Sequence, residues 1–140
     1  MKLHIIARGK LGRGAEAEII ARYAKRISWP FAISELPDVG GKSPAALVPA
    51  IIVALDETGA LLSSAELADK IVHWRDTGIR ECRFLIGAAD GLSDEARASA
   101  DLLLSFGRAT FPHLLVRVML VEQLYRAITI IDGHPYHRAG

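Results

Sequence analysis

The sequence is short of cysteine and of long hydrophobic runs. Its 140 residues include one cysteine, Cys82, so no internal disulfide can form and a reducing, cytoplasmic location is expected. The longest nearly unbroken apolar stretch, residues 45–55, contains Pro49 and falls far short of the roughly 20 residues that span a bilayer. The amino terminus lacks the charged and apolar regions of a secretion signal. A membrane-spanning or secreted protein is therefore not predicted.

An excess of charge of one sign is also lacking. The chain has 17 basic and 16 acidic side chains, a formal net charge of +1 at pH 7. Holding nucleic acid by bulk electrostatics requires clustered Lys and Arg, so any such binding must depend on local chemistry. Arg13, Arg22, Lys25 and Arg26 surround the first predicted helix and form either a weak patch or an ordinary solvated face. The five histidines and one cysteine show no metal-ligand spacing, so no metal site is predicted.

What is present is the composition of a globular protein, with 51% hydrophobic and 24% charged residues. A chain of this length can bury one core, and residues 1–140 are expected to form a single domain. Helices are predicted where apolar residues recur at helical spacing, two of them with Ser63 and Ser93 as N-caps. Short apolar or alternating runs predict strands at residues 2–9, 31–36, 50–55, 82–86 and 102–105.

This alternation of strands and helices indicates an α/β sandwich on a mainly parallel sheet. Residues 50–55 are apolar on both faces, which predicts a central strand covered by helices on either side, and residues 56–59 are expected to turn the chain out of the sheet. Ligands of such sheets bind in the loops beyond the carboxyl ends of the strands. The loops after Leu55, Ile86 and Ser105 are therefore the candidates for a binding site.

The last predicted helix, residues 114–131, is apolar over nearly its whole circumference. Its polar residues other than Arg117 form a narrow stripe, and one sheet does not bury that much apolar helix. A second copy packed two-fold is the expected cover, which predicts a homodimer; a core helix of a monomer is the alternative. Glu122 and Arg126, four residues apart, are expected to steady the helix.

Several motifs in the second half of the chain occur in one order and spacing. They are FLIG at 84–87, GLS at 91–93, FPH at 111–113, LVRV at 115–118, EQLYRA at 122–127 and HPYHR at 134–138. In this combination the sequence resembles the ribosomal RNA large subunit methyltransferase H family, part of the SPOUT class of methyltransferases. The resemblance runs from the first strand to the tail and is densest towards the carboxyl end.

The resemblance implies a SPOUT-type fold with a C-terminal trefoil knot, S-adenosylmethionine as the cofactor, and a homodimer in which each active site is completed by the partner chain. The implied activity is methylation of N3 of a pseudouridine in 23S rRNA within the assembled ribosome. The implied cofactor loops are those after Leu55, Ile86 and Ser105, the same three that the topology of a parallel sheet makes candidates for a binding site. Their residues are Leu55, Gly87, Phe106, Gly107, Arg108, Ala109, Thr110 and Phe111.

Methyl transfer to the N3 of a uracil-like ring requires loss of the N3 proton and stabilisation of the negative charge that develops. The tail carries groups of both kinds. His134 and His137 can accept a proton, Tyr136 can stack on a base or donate, and Arg138 can hold a phosphate or an oxyanion. The resemblance implies that the tail reaches across the dimer into the active site; a solvated chain end is the alternative.

Two further candidates lie at the start of the last helix. Arg117 is expected either to contact a phosphate or the transition state, or to form a structural ion pair, since a buried arginine needs a partner. His113, directly after Pro112, is either a helix cap or a catalytic group. His4 and His73 are expected to fill core or surface positions.

The sequence departs from the family pattern at two places. The family turn Gly-Gly-Pro-Glu-Gly is Gly-Ala-Ala-Asp-Gly at residues 87–91, and Ala88 fits only if its φ is negative. The segment between Pro37 and Ala50 is shorter than in longer members, which affects the RNA-facing surface more than the cofactor loops. Two rival functions stay open: a nucleotide- or phosphate-binding module without catalysis, and a dimeric RNA-binding factor that has lost catalysis.

Overall fold

The computed structural model describes the backbone of residues 1–139 and the side chains of residues 1–137. Five strands and four α-helices make up this part of the chain, and a 3₁₀ helix follows them. The strands are β1 (Lys2–Arg8), β2 (Phe31–Leu36), β3 (Ala50–Leu61), β4 (Glu81–Ile86) and β5 (Leu102–Ser105). The helices are α1 (Ala15–Ala24), α2 (Ser64–Asp76), α3 (Asp94–Ser99), α4 (His113–Asp132) and the 3₁₀ helix Pro135–Ala139.

The strands form one sheet in the order β2-β1-β4-β3-β5, and every neighbouring pair is parallel. The parallel sheet predicted from the sequence is confirmed. In its centre Phe84 lies opposite Ile5 on one side and Val53 on the other, and all three side chains are fully buried. Because all five strands run in the same direction, their carboxyl ends meet at one edge of the sheet. The loops after β4 and β5 therefore come together at that edge, beside residues 55–57 of β3.

One face of the sheet packs against the long helix α4, which also contacts α1 and α2. Leu120 and Leu124 are fully buried in this core. The chain itself therefore covers more of the apolar surface of α4 than we expected from the sequence, which predicted that a second copy would cover it. Leu115 is still 45% exposed. Glu122 and Arg126 form the predicted pair, with 2.7 Å between Oε1 and Nη2. Across the described residues, no helix is both long and apolar enough to cross a membrane.

The other face of the sheet carries a buried polar cluster at the amino end of the central strands. Glu81 pairs with Arg83, two residues along β4, and lies 3.6 Å from Nδ1 of His4 on the neighbouring strand β1. Burial lowers the pKa of His4, with Lys2 adding to the effect and Glu81 opposing it. The backbone N–H of Leu47 also donates to Glu81, at 3.4 Å. The cluster therefore ties the connection between β2 and β3 to the sheet.

The prediction that residues 56–59 turn the chain out of the sheet is wrong. β3 continues to Leu61, and its register with β5 shifts between Leu55 and Ala60, so that both of these residues lie opposite Leu104. Residues 56–59 form a wide bulge between the two registers. Gly59 is required there, because a Cβ on it would lie 2.6 Å from the carbonyl carbon and oxygen of Leu103. The local sequence of this segment is typical of a turn, but its pairing with β5 keeps it in the sheet.

The predicted helix caps are confirmed. The Ser63 hydroxyl accepts the Glu66 N–H at 3.0 Å, and the Glu66 carboxylate accepts the Ser63 N–H at 2.8 Å, which completes a capping box. The Ser93 hydroxyl accepts the N–H of Ala96 at 3.1 Å at the start of α3. The first helix ends at Ala24, earlier than the apolar spacing indicated.

Candidate functional site

A cavity of about 590 Å³ lies at the carboxyl edge of the sheet. It is bounded by residues 55–57 of β3, by the loops after β4 and β5 and by the first turn of α4. Concave, partly apolar pockets of several hundred Å³ are typical of small-molecule and cofactor sites. The candidate residues that the structure brings together in its lining are Leu55, Gly87, Phe106, Gly107, Ala109, Thr110, Phe111 and His113.

The loop after β4 is closed so tightly that Gly87 has no room for a side chain. A Cβ on Gly87 would lie 2.3 Å from the carbonyl carbon of Gly91 and 2.6 Å from the nitrogen of Leu92. The Gly91 N–H donates to the carbonyl of Ala88 at 2.8 Å and closes the turn. Among the described residues only glycines have positive φ. Ala88 therefore has the negative φ that an alanine needs at this position of the turn. The backbone at Gly87 is therefore free to form one wall of the cavity.

The loop after β5 is tied to the β3 bulge by Ser105 and Arg108. The Ser105 hydroxyl accepts the N–H of Gly107 at 3.1 Å and lies 3.2 Å from the carbonyl oxygen of Glu57. The Arg108 guanidinium donates to the carbonyl oxygens of Glu57 and Gly59, the latter at 3.1 Å. Arg108 is thus a candidate site residue that does not line the cavity. Its hydrogen bonds hold the β3 bulge, which forms one wall of the cavity, against the loop after β5.

Three acidic residues line the cavity, namely Asp56, Glu57 and Asp90, and the sequence singled out none of them as a site residue. The nearly buried Asp56 carboxylate pairs with Arg97, with 3.0 Å between Oδ1 and Nη2. Hydrogen bonds from Thr58 lower the pKa of Asp56; burial opposes this shift and Arg97 adds to it. The Glu57 carboxylate accepts the hydroxyl of Thr110 at 3.1 Å. The cavity therefore offers carboxylates to a ligand that carries positive charge or hydroxyl donors.

Arg117 is fully buried and does not line the cavity. Its Nη1 lies 2.6 Å from Oε2 of Glu35, and its Nη2 donates to the carbonyl of Gly9 at 3.0 Å. Glu35 also accepts the N–H of Leu11 at 2.8 Å. Burial raises the pKa of Glu35, but the hydrogen bonds from Arg117 and Leu11 outweigh it and hold the pKa below its ordinary value. The protomer shows the structural ion pair, and a phosphate contact by Arg117 stays a prediction that would require it to leave Glu35.

His113 begins α4, next to the N-cap residue Pro112. No side chain of residues 1–137 forms a cap hydrogen bond at this end of the helix, so the capping role left open for His113 is not seen. Its ring lies beside the loop after β1, since a Cβ on Gly9 would be 3.4 Å from Nε2 of His113. A catalytic role for His113 at the cavity stays a prediction.

The tail folds back as the 3₁₀ helix Pro135–Ala139, in contact with α4 of its own protomer. Tyr136 and His137 are half-buried and His134 is exposed. None of these three residues lines the cavity of the same protomer. The side chain of Arg138 lies outside the described residues. The site residues predicted in the tail are therefore separate from the cavity unless a second chain joins them.

The remaining titratable candidates are structural. His4 is buried in the polar cluster and His73 is exposed on α2, in keeping with filler positions. Burial raises the pKa of the Cys82 thiol far above its ordinary range, which leaves it unreactive. Within the part of the chain that the structure describes, no group of three or more His, Cys, Asp or Glu side chains could hold a metal ion.

Comparison with known proteins identifies the family. Residues 1–137 match the family described as "Predicted SPOUT methyltransferase". The protein of Erythrobacter litoralis named "Ribosomal RNA large subunit methyltransferase H" is 59% identical over 140 residues, which is 100% of both chains.

Solved structures of other methyltransferases share the fold at low identity. A probable methyltransferase from Bordetella pertussis matches with a TM-score of 0.60 and 13% identity over 90% of this chain and 95% of its own. The SpoU methyltransferase AviRb from Streptomyces viridochromogenes, solved in complex with AdoMet, matches with a TM-score of 0.52 and 15% identity over 90% of this chain and 57% of its own. These likenesses support the fold, and the family follows from the full-length match: the chain belongs to the ribosomal RNA large subunit methyltransferase H family of SPOUT methyltransferases.

Proposed function

We propose that this protein uses S-adenosylmethionine to methylate N3 of a pseudouridine in 23S rRNA of the assembled ribosome. The observation that carries the proposal is the cavity between the β3 bulge and the loops after β4 and β5, found in a chain 59% identical over its full length to a ribosomal RNA large subunit methyltransferase H. The two non-catalytic alternatives are not favoured, because the whole chain matches proteins named as enzymes.

The residues of the cavity fit S-adenosylmethionine. At about 590 Å³ the cavity lies within the size range of cofactor sites. Gly87, which has no space for a Cβ, brings backbone groups to the ligand, and Leu55 and Phe106 supply apolar surface. Asp56 and Glu57 offer carboxylates to a cofactor that is positively charged at sulfur and at its amino group. Arg97 balances part of this negative charge through its ion pair with Asp56.

When bound, S-adenosylmethionine supplies a methyl group on a positively charged sulfur, which departs as a neutral thioether. The protein must align the N3 atom with that methyl group, exclude water and remove the N3 proton. We assign proton removal to a histidine of the tail, His134 or His137, which becomes the imidazolium as the N–C bond forms. Arg138 is proposed to stabilise the negative charge on the flanking carbonyl oxygens. His113 lies at the cavity and is a second candidate base.

The proposal includes a homodimer in which the tail of one protomer completes the cavity of its partner. Apolar side chains stay partly uncovered near α4 and the cavity: Leu115 is 45% exposed, Leu61 56% and Phe111 37%. A second cavity of about 540 Å³ lies alongside α4 and includes Met119 and Leu61 in its lining. Apolar surface of this kind supports a protein–protein contact. The separation of the tail from the cavity of its own protomer supports completion by a partner.

A trefoil-knotted path of the carboxyl-terminal part and a cytoplasmic location belong to the same proposal. The loop after β5 lies against the β3 bulge and shares one cavity with the loop after β4, an arrangement compatible with a threaded chain end. A location beside ribosomes suits a chain whose one thiol, Cys82, is free and buried.

Transfer of tritium from labelled S-adenosylmethionine tests the proposed activity. The substrates are intact 70S ribosomes from a strain that lacks the modification, the separated subunits and free ribosomal RNA. We expect transfer to the intact ribosome, with the label found on N3 of pseudouridine by nucleoside mass spectrometry. A dimer that binds the ribosome but transfers no label would instead be an RNA-binding factor. Calorimetric binding of a nucleotide but not of S-adenosylmethionine would indicate the binding module.

A further inference from the structure

The described part of the tail is held by a cluster of aromatic rings that no proposed chemical step uses. The ring of Tyr136 lies with its centroid 4.6 Å from that of Tyr125 on α4 and 6.4 Å from that of Tyr23 on α1. The guanidinium of Arg126 lies 4.9 Å from the Tyr136 ring centroid, within cation–π range. Tyr136 is thus packed between two helices of its own protomer.

The hydroxyl of Tyr136 is also engaged. It donates to Oε1 of Glu122 at 2.9 Å and lies 3.3 Å from the hydroxyl of Tyr23. Glu122 is itself held by Arg126, whose Nε and Nη2 donate to the same oxygen at 2.9 and 2.7 Å. Burial and the contacts with Tyr23 and Glu122 raise the pKa of Tyr136, so its hydroxyl stays protonated and can donate its hydrogen bond to the Glu122 carboxylate. Neither the ring nor the hydroxyl is free to act on a substrate without leaving this cluster.

The next residue contrasts with Tyr136. His137 is half-buried, and its Nδ1 is buried; among the described residues its imidazole has no hydrogen-bond partner. A buried imidazole nitrogen without a partner is costly in a protein that has no use for it. Tyr136 fixes the backbone directly before this imidazole, so the position of His137 depends on the contacts that hold Tyr136.

We propose that Glu122 and Tyr23 are positioning residues, which act through Tyr136 to hold the carboxyl-terminal 3₁₀ helix so that His137 is presented to the substrate. The inference rests on the proposed function for the role of the tail. It assigns Tyr136 a positioning role in place of the direct contact with the substrate that the sequence predicted. Arg126 belongs to the same set, because it orients the Glu122 carboxylate.

Hydrogen exchange of the carboxyl-terminal peptide measures the positioning without any assay of activity. Tyr136→Phe removes the hydrogen bond to Glu122 and keeps the ring, and Tyr125→Phe is the matched control, since its hydroxyl forms no hydrogen bond with a described residue. Loss of a hydrogen bond to a charged group should speed exchange in the tail about 10- to 100-fold for Tyr136→Phe. Glu122→Ala should behave likewise, and Glu122→Gln, which keeps an acceptor oxygen, should lie closer to the unaltered protein. Equal exchange in Tyr136→Phe and Tyr125→Phe would overturn the proposal.

Kinetics then separate positioning from a merely structural role. We expect Tyr136→Phe and Glu122→Ala to lower kcat for methyl transfer by a similar factor while KM for S-adenosylmethionine stays within a few-fold, with partial rescue by Glu122→Gln. Faster exchange in the tail with unchanged kcat would also overturn the proposal, because the held tail would then have no part in the reaction. If the unaltered protein transfers no methyl group, the proposed function fails, whereas the exchange data still decide whether Glu122 holds the tail through Tyr136.

Discussion

Replacement of Gly87 by alanine probes the wall of the cavity directly. The new Cβ would lie 2.3 Å from the carbonyl carbon of Gly91 and 2.6 Å from the nitrogen of Leu92, whereas ordinary contacts begin at 3.4 Å. The turn must therefore move by about 1 Å, and overpacking of this kind costs about 1–3 kcal/mol. Because Gly87 lines the cavity, we expect most of that cost as lost cofactor affinity, which corresponds to an increase in Kd of about 5- to 150-fold.

Calorimetric titration with S-adenosylmethionine measures this change, and thermal unfolding shows how much of the cost falls on stability. Ala88→Gly is the matched control, since it alters the same turn, adds no atom and should bind with unchanged Kd. Gly87→Ala protein that keeps both its Kd and its Tm would refute the assignment of this wall to the cofactor site.

Four further changes test other parts of the molecule. Ser63→Ala should lower the free energy of unfolding by about 1 kcal/mol in urea denaturation, because the capping box is lost. Glu35→Gln should reduce stability near neutral pH by leaving Arg117 without its anionic partner. Since the pKa of Glu35 is lowered in the folded state, the difference between the two proteins should be full above pH 4.5 and shrink as the pH falls through that lowered pKa. Deletion of residues 134–140 should abolish methyl transfer and leave the Kd for S-adenosylmethionine within a few-fold; an unchanged rate would exclude a catalytic tail. Leu115→Lys should yield monomers in analytical ultracentrifugation together with loss of activity, and an active monomer would contradict the proposed dimer.

Most of the fold could be predicted from the sequence because its strands are short apolar runs bounded by turn residues. The error at residues 56–59 has a clear cause. Polar residues followed by Gly59 have the local pattern of a turn, and only the pairing of Ala60 and Leu61 with β5 keeps this segment in the sheet. Such pairing depends on a strand more than 40 residues further along the chain, which no local pattern contains.

The position of the site was predictable from topology, because parallel strands place their following loops at one edge. The direction of individual side chains was not. Arg108 turns towards the backbone carbonyls of the bulge, and Arg117 pairs with Glu35, 82 residues away in the sequence. Asp56 and Glu57 were not predicted as site residues, because residues 56–59 were interpreted as a turn. The signal that could have found them is an acidic pair directly after the apolar run 50–55, at the edge of the sheet where ligands bind.

The β3 bulge constrains how the chain can vary in length. Leu55 and Ala60 both lie opposite Leu104, so residues 56–59 act as a spacer between two stretches of the same strand. Because successive strand residues point to opposite faces, one inserted or deleted residue in this spacer would turn Ala60 and Leu61 over. The same change would displace Asp56 and Glu57 relative to Arg97 and Thr110. Insertions and deletions should therefore be tolerated far better between β2 and β3 than in this four-residue spacer.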